Sequence, residues 1–207
     1  MRVYPPIPTD EPLPLAIVFA DPDQVPPGPP LRPEAIARFD ALLHELNPDA
    51  LRVDSVRIRS LCAWLASLPP DTALDVLNRR LRRLEELRAM LDDDAWDADT
   101  ALRERLRKLF AYADQDDDLI ADGEPLIGKL DDVLLIELAW PAFVTEADDY
   151  RDFCAYRADE HPPGDGGEQR QAWIRDRLAE IALLKHHQRV SDGRYIDRGR
   201  PEMFHIG

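Results

Sequence analysis

Eleven of the nineteen prolines fall within the first 33 residues, at positions 5, 6, 8, 12, 14, 22, 26, 27, 29, 30 and 33. Proline fixes φ and carries no backbone N–H, so this stretch suits neither a helix nor the interior of a sheet. A solvated leader has little use for Leu13, Leu15, Ile17, Val18 and Phe19. Residues 1–32 are therefore expected to form an extended strap lying along the folded part of the chain.

From Pro33 the pattern changes to a helical one. Proline fits the first turn of a helix, and Ile36, Phe39, Leu42, Leu43 and Leu46 succeed it at spacings of one, three and four before Asn47-Pro48. The same reading predicts a second helix from about Asp54 to Leu68, with Val56, Leu61, Trp64, Leu65 and Leu68 inward. Asp71 or Thr72 would cap a third, with Leu74, Leu77, Leu81, Leu84, Leu87 and Leu91 as a packed stripe or a short coiled-coil seam. Asp97 or Asp99 would start a fourth, holding Leu102, Leu106, Leu109, Phe110 and Ala113.

A fifth helix is expected over about 131–143, broken near Pro141. Thr145 with Asp148 signals the start of a sixth, ending near Ala158. After an exposed loop at 161–167, a seventh would run from Glu168 to about His187, burying Trp173, Ile174, Leu178, Ile181 and Leu184. Asp192-Gly193 suggests a small hairpin turn beyond that helix. The expected fold is all-α: a compact bundle of six to seven helices in a single domain over 33–188. The Pro-rich N-terminal strap precedes it, and a short irregular C-terminal tail, 189–207, completes the chain.

The chain carries 26 basic and 41 acidic residues, a formal charge of −15. That balance opposes non-specific binding to a nucleic-acid backbone. Arg79, Arg80, Arg82, Arg83, Arg88, Arg103, Arg105, Arg107 and Lys108 form a basic cluster, but Glu85, Glu86, Asp92, Asp93, Asp94, Asp97, Asp99 and Glu104 nearly cancel it. Residues 114–160 hold three basic and fifteen acidic side chains, which accounts for −12 of the total. Their charges have almost no partners nearby in sequence.

The most apolar stretch, residues 133–144, is interrupted by Glu137 and Pro141. A membrane-spanning helix needs about 20 apolar residues, so no span is expected and a buried core helix explains the stretch. Residues 1–6 lack the features of a secretory signal. Cys62 and Cys154 lie too far apart in sequence for a disulfide framework and read as buried free thiols. A bacterial-type reducing cytoplasm is the expected location.

One segment invites a cation-site reading: Asp114-Gln115-Asp116-Asp117-Asp118-Leu119-Ile120-Ala121-Asp122-Gly123-Glu124. In the EF-hand register starting at Asp114, Asp116 and Asp118 fit, but Leu119 replaces the turn glycine and Pro125 the bidentate glutamate. The segment is therefore not an EF-hand.

Over a slightly later window it resembles the YkvA family, a bacterial domain of unknown function marked by a D-L-I-P-D…P…G-x-L-D-D stretch. The agreeing positions are Asp118, Leu119, Ile120, Asp122, Pro125, Gly128, Leu130, Asp131 and Asp132. Ala121 stands where that family has proline, and Gly123 and Glu124 stand where it has apolar residues. The likeness covers about residues 105–145. It implies a compact helical unit with the motif turning between two helices, and it carries over no catalytic residue.

Pro125 and Gly128 restrict the backbone of this turn, and Asp131 or Asp132 would cap the helix after it. Two functions are compatible with such a chain. The first is a non-enzymatic interaction or scaffold module, binding a protein partner or a second copy through the stripe that starts at Leu74. It is motivated by the absence from the sequence of a nucleophile–base pair, a phosphate loop or a Cys/His metal set. The alternative is convergence of Asp116, Asp118, Asp122, Asp131 and Asp132 on a divalent cation such as Mg²⁺ or Ca²⁺, with a metal-assisted hydrolase as its enzymatic extension. Clustered carboxylates repel one another unless a cation stands among them.

Overall fold

The computed structural model describes residues 12–15, 28–115, 119–120 and 126–197. Among these are seven α-helices: α1 (Pro33–Leu46), α2 (Ser55–Ser67), α3 (Pro70–Asp92), α4 (Thr100–Ala113), α5 (Leu130–Ala139), α6 (Val144–Glu160) and α7 (Gly166–Asp197). No strand occurs among the described residues, and the all-α class holds. A 3₁₀ turn, Trp140–Ala142, continues α5 where Pro141 ends its regular hydrogen bonding.

Local chemistry sets most of the helix starts. Asp54 caps α2 by accepting from the Arg57 N–H at 2.8 Å, and Asp99 caps α4 by accepting from the Leu102 N–H at 2.7 Å. Two expected caps are displaced. Helix α3 begins at Pro70, ahead of Asp71 and Thr72, because proline already has the φ a first helical residue needs. Helix α6 begins at Val144, so Thr145 lies inside it.

The chain divides into two compact units, Met1–Asp93 with Ala98–Tyr150, and Asp94–Asp97 with Arg151–Gly207. In the first, α5 is the central element and packs against α1, α3 and α4. Eight of its ten residues are buried: Leu130, Asp131, Asp132, Val133, Leu134, Leu135, Ile136 and Ala139. A helix apolar on nearly every side is stable only when surrounded, which explains why the most apolar stretch lies here. Phe39, Leu43 and Leu46 of α1, Leu77, Leu84, Leu87 and Met90 of α3, and Leu102, Leu106 and Leu109 of α4 are buried in the same unit. The leucine stripe of α3 is thus spent largely inside the chain, with Leu74 left 47% exposed.

Described fragments of the proline-rich segment behave as a strap. Leu13 is buried, and its N–H donates to Glu137 Oε1 at 3.2 Å.

The second unit has a small aromatic centre. Trp96, Phe153 and Trp173 meet with ring centroids 5.6 to 5.8 Å apart. Arg170, Arg157 and Arg177 lie over these three rings in turn, at 4.8, 4.6 and 5.7 Å. The Trp173 Nε1–H donates to Asp152 at 2.8 Å. Helix α7 starts with a reciprocal capping box: the Glu168 N–H donates to Asp165 Oδ1, and the Asp165 N–H to Glu168 Oε2. Gly166 is required there, since a Cβ would come within 2.4 Å of Ala95 Cβ.

Helix α7 departs most from expectation. It runs ten residues past His187, through Asp192-Gly193, and no hairpin turn forms. Of the five residues expected inward, only Trp173 is buried.

Candidate functional site

The acidic turn is only partly described. Asp116, Asp118, Asp122 and Pro125 lie outside the described residues, whereas Gly128, Asp131 and Asp132 lie within them. Gly128 is buried in a turn that begins at Leu126, whose φ of 69° is in the left-handed region. Neither expected aspartate caps α5. The N-cap is Lys129, and Asp131 and Asp132 occupy the second and third helical positions. There their negative charge favours the positive helix end.

Asp131 is 1% exposed. Its Oδ2 accepts from the Tyr112 hydroxyl at 3.1 Å and from the backbone N–H groups of Leu119 and Ile120 at 3.3 and 3.2 Å. Tyr112 is itself set by an edge-on contact with Phe39, centroids 5.5 Å apart. The buried carboxylate thereby ties α4, α5 and the apolar Leu119-Ile120 pair together. Asp132 has Lys129 Nζ 3.6 Å from its Oδ2. Among the described residues, no three His, Cys, Asp or Glu side chains are grouped to hold a metal ion.

Both cysteines are free, Cys62 buried as expected and Cys154 only half-buried. Burial pushes the Cys62 thiol up to about 11, with the Asp131 charge adding to the effect. It stays protonated at neutral pH and has no thiolate character.

Two further carboxylates, Asp40 buried and Glu137 half-buried, hold the first unit together in ways that the sequence did not signal directly. Asp40 Oδ2 pairs with Arg52 at 2.5 Å, and its Oδ1 accepts from the Val53 N–H at 3.0 Å. His44 Nδ1 stands 2.7 Å from the Asp40 carbonyl, and its Nε2 stands 3.1 Å from the Ala50 carbonyl. Burial alone would raise the Asp40 carboxyl, but the Val53 N–H, the Arg52 guanidinium and His44 together hold it below its ordinary value.

Glu137 is the second. Its Oε2 accepts from Arg80 Nε at 3.1 Å and from Arg83 Nη1 at 2.7 Å. Arg83 also covers the Trp140 ring at 5.0 Å. A lone acid inside the apolar run 133–144 is the one sequence signal for this arrangement, because an unpaired charge cannot stay buried.

These pairs supply the acidic segment with partners that lie far away in sequence, as the lack of nearby ones requires. Arg80 and Arg83 reach Glu137, Arg88 reaches Asp114 at 2.5 Å, and Arg177 reaches Asp152. The partners are distant in sequence, so counting charges along the chain could not find them.

The feature left without an internal explanation is on α7. Leu178 is 61% exposed, Ile181 41%, Leu183 56%, Leu184 61% and Val190 39%. At 100° per residue, Leu178, Ile181 and Leu184 share one side of the helix, and Leu183 and Val190 lie on the other. Arg177, Lys185 and Arg189 are interspersed with them, against Glu180. No helix among the described residues is long and apolar enough to cross a membrane.

Comparison of the chain with protein-family models, with curated proteins and with solved structures gives no match.

Proposed function

We propose that this chain is a non-enzymatic interaction module that engages a protein partner through α7. The observation that carries the reading is the exposure of Leu178, Ile181, Leu183 and Leu184 on one 32-residue helix. Large apolar side chains scattered singly over a surface are ordinary, whereas a group such as Leu178, Ile181 and Leu184 on one side of α7 marks an interaction surface. A segment apolar on opposite sides, such as 178–184, is the kind of helix that partners surround.

The cation-binding alternative draws less support. Asp131 Oδ2 already serves three donors, from Tyr112, Leu119 and Ile120. Kinship with the YkvA family is part of the same proposal. Its support is the placement of the motif between α4 and α5, where that family's helix–turn–helix reading puts it.

A pull-down comparing the native chain with a Leu178→Asp/Leu184→Asp variant tests the proposal. The expected result is one or more proteins retained by the native chain and lost with the variant, while far-UV circular dichroism stays unchanged. Identical protein sets with both baits would sink the idea.

A further inference from the structure

Residues 12–15 read Pro12-Leu13-Pro14-Leu15. The two prolines carry no N–H, so this stretch has only two backbone donors. The Leu15 N–H turns back onto the Leu13 carbonyl at 2.7 Å. That leaves the Leu13 N–H as the single outward donor, and it is captured by Glu137 Oε1 at 3.2 Å. The Leu13 side chain is buried to 4% exposure, while Pro12 beside it is exposed.

The receiving surface is built independently of the strap. Glu137 commits its other oxygen, Oε2, to Arg80 and Arg83, whose side chains are 9% and 29% exposed, and Arg83 is steadied by the Trp140 ring. Arg80 Nη1 is further tied to the Val76 carbonyl at 3.1 Å. When the strap leaves, Oε1 meets water, and the two guanidinium contacts remain. Recognition thus rests on one buried leucine and one backbone hydrogen bond, presented by a segment whose two prolines restrict the backbone around a tight turn from Leu13 to Leu15. A backbone restricted in advance loses less entropy on binding.

We infer that the α3–α5 surface around Glu137 is a binding groove for a proline-flanked leucine segment, and that residues 12–15 occupy it in cis as a displaceable strap. The chain thereby holds its own competitor for any partner peptide of the same chemistry. A tethered ligand acts at a high effective concentration. The groove therefore takes a peptide from another molecule weakly until the strap is released.

The test uses the full-length chain and a fluorescent peptide of its own sequence centred on Pro12-Leu13-Pro14-Leu15, read by anisotropy. A full-length Leu13→Asp variant should bind the peptide at least about tenfold more tightly than the native chain, because the tethered competitor is gone. The same peptide carrying Leu13→Asp should not bind. Equal affinity for both chains, or no binding to a folded variant, overturns the inference. Hydrogen exchange on the native chain gives a measurement that does not depend on how the variant folds. The Leu13 amide should exchange through local opening, at least about a hundredfold faster than the amide of Leu134 in α5. Exchange of Leu13 only with global unfolding would also overturn it.

Discussion

Asp131 shows how much one buried carboxylate organises. Replacing it with Asn keeps the shape but weakens the acceptor for the Leu119 and Ile120 N–H groups and for the Tyr112 hydroxyl. Leaving buried donors poorly matched costs about 1–3 kcal/mol. Urea unfolding of Asp131→Asn should show that loss equally in EDTA, Mg²⁺ and Ca²⁺. A loss confined to the metal-containing buffers would instead make the turn a cation site. Asp40 supplies a pH prediction. Its folded-state pKa is depressed, so its stabilising contribution is present above the ordinary carboxylate pKa of about 3.9. It disappears as pH falls through the lower folded value. The stability gap between the native chain and Asp40→Asn should therefore be constant near neutrality and close below about pH 4 in unfolding curves taken across pH. Cys62, held protonated by burial at about 11, should react with a thiol reagent only when the chain is unfolded. Rapid labelling in native buffer would contradict its placement.

At the scale of elements, α5 and α7 are opposites. Helix α5 is apolar all round and enclosed, so truncating Leu134, 1% exposed, to alanine should cost about 2–5 kcal/mol through lost contacts and a residual cavity. On α7, Leu183 and Leu184 are more than half exposed. Substituting both with Lys should change stability by only about 0.5 kcal/mol in either direction. A large loss of stability would mean that these side chains pack within the chain. The sequence marked α5 as a core helix by its apolar run, but the apolar residues of α7 read as inward although most of them are exposed, because periodicity does not say what covers a face. The signals at helix starts were more legible. Helices α2 and α4 start beside the aspartates expected to open them, Asp54 and, of the pair Asp97 and Asp99, Asp99, since a capping hydrogen bond closes within three residues. Asp71 and Thr72 do not cap α3, because Pro70 competes for the same start.

For the whole molecule, two compact units with separate centres predict unfolding that is not strictly two-state. The second unit relies on the small group of Trp96, Phe153 and Trp173 and should melt first. Fluorescence of Trp96 and Trp173 should then fall before the calorimetric transition of the first unit. Coincident transitions by both probes would refute this. What the sequence alone determined is whatever rests on short-range chemistry: the absence of helix from residues 12–15 and 28–32, the helical period after Pro33, the breaks at Asn47-Pro48 and Pro141, and the burial of half of the 133–144 stretch. Only the tertiary structure decided which carboxylates are buried and by whom they are paired. Glu137 meets arginines more than fifty residues away, and Asp131 meets donors from a different turn. Likewise only the packing showed that the stripe on α3 is consumed in the core while the one on α7 faces outward. Periodicity records that a helix has an apolar side, and the fold decides what covers it.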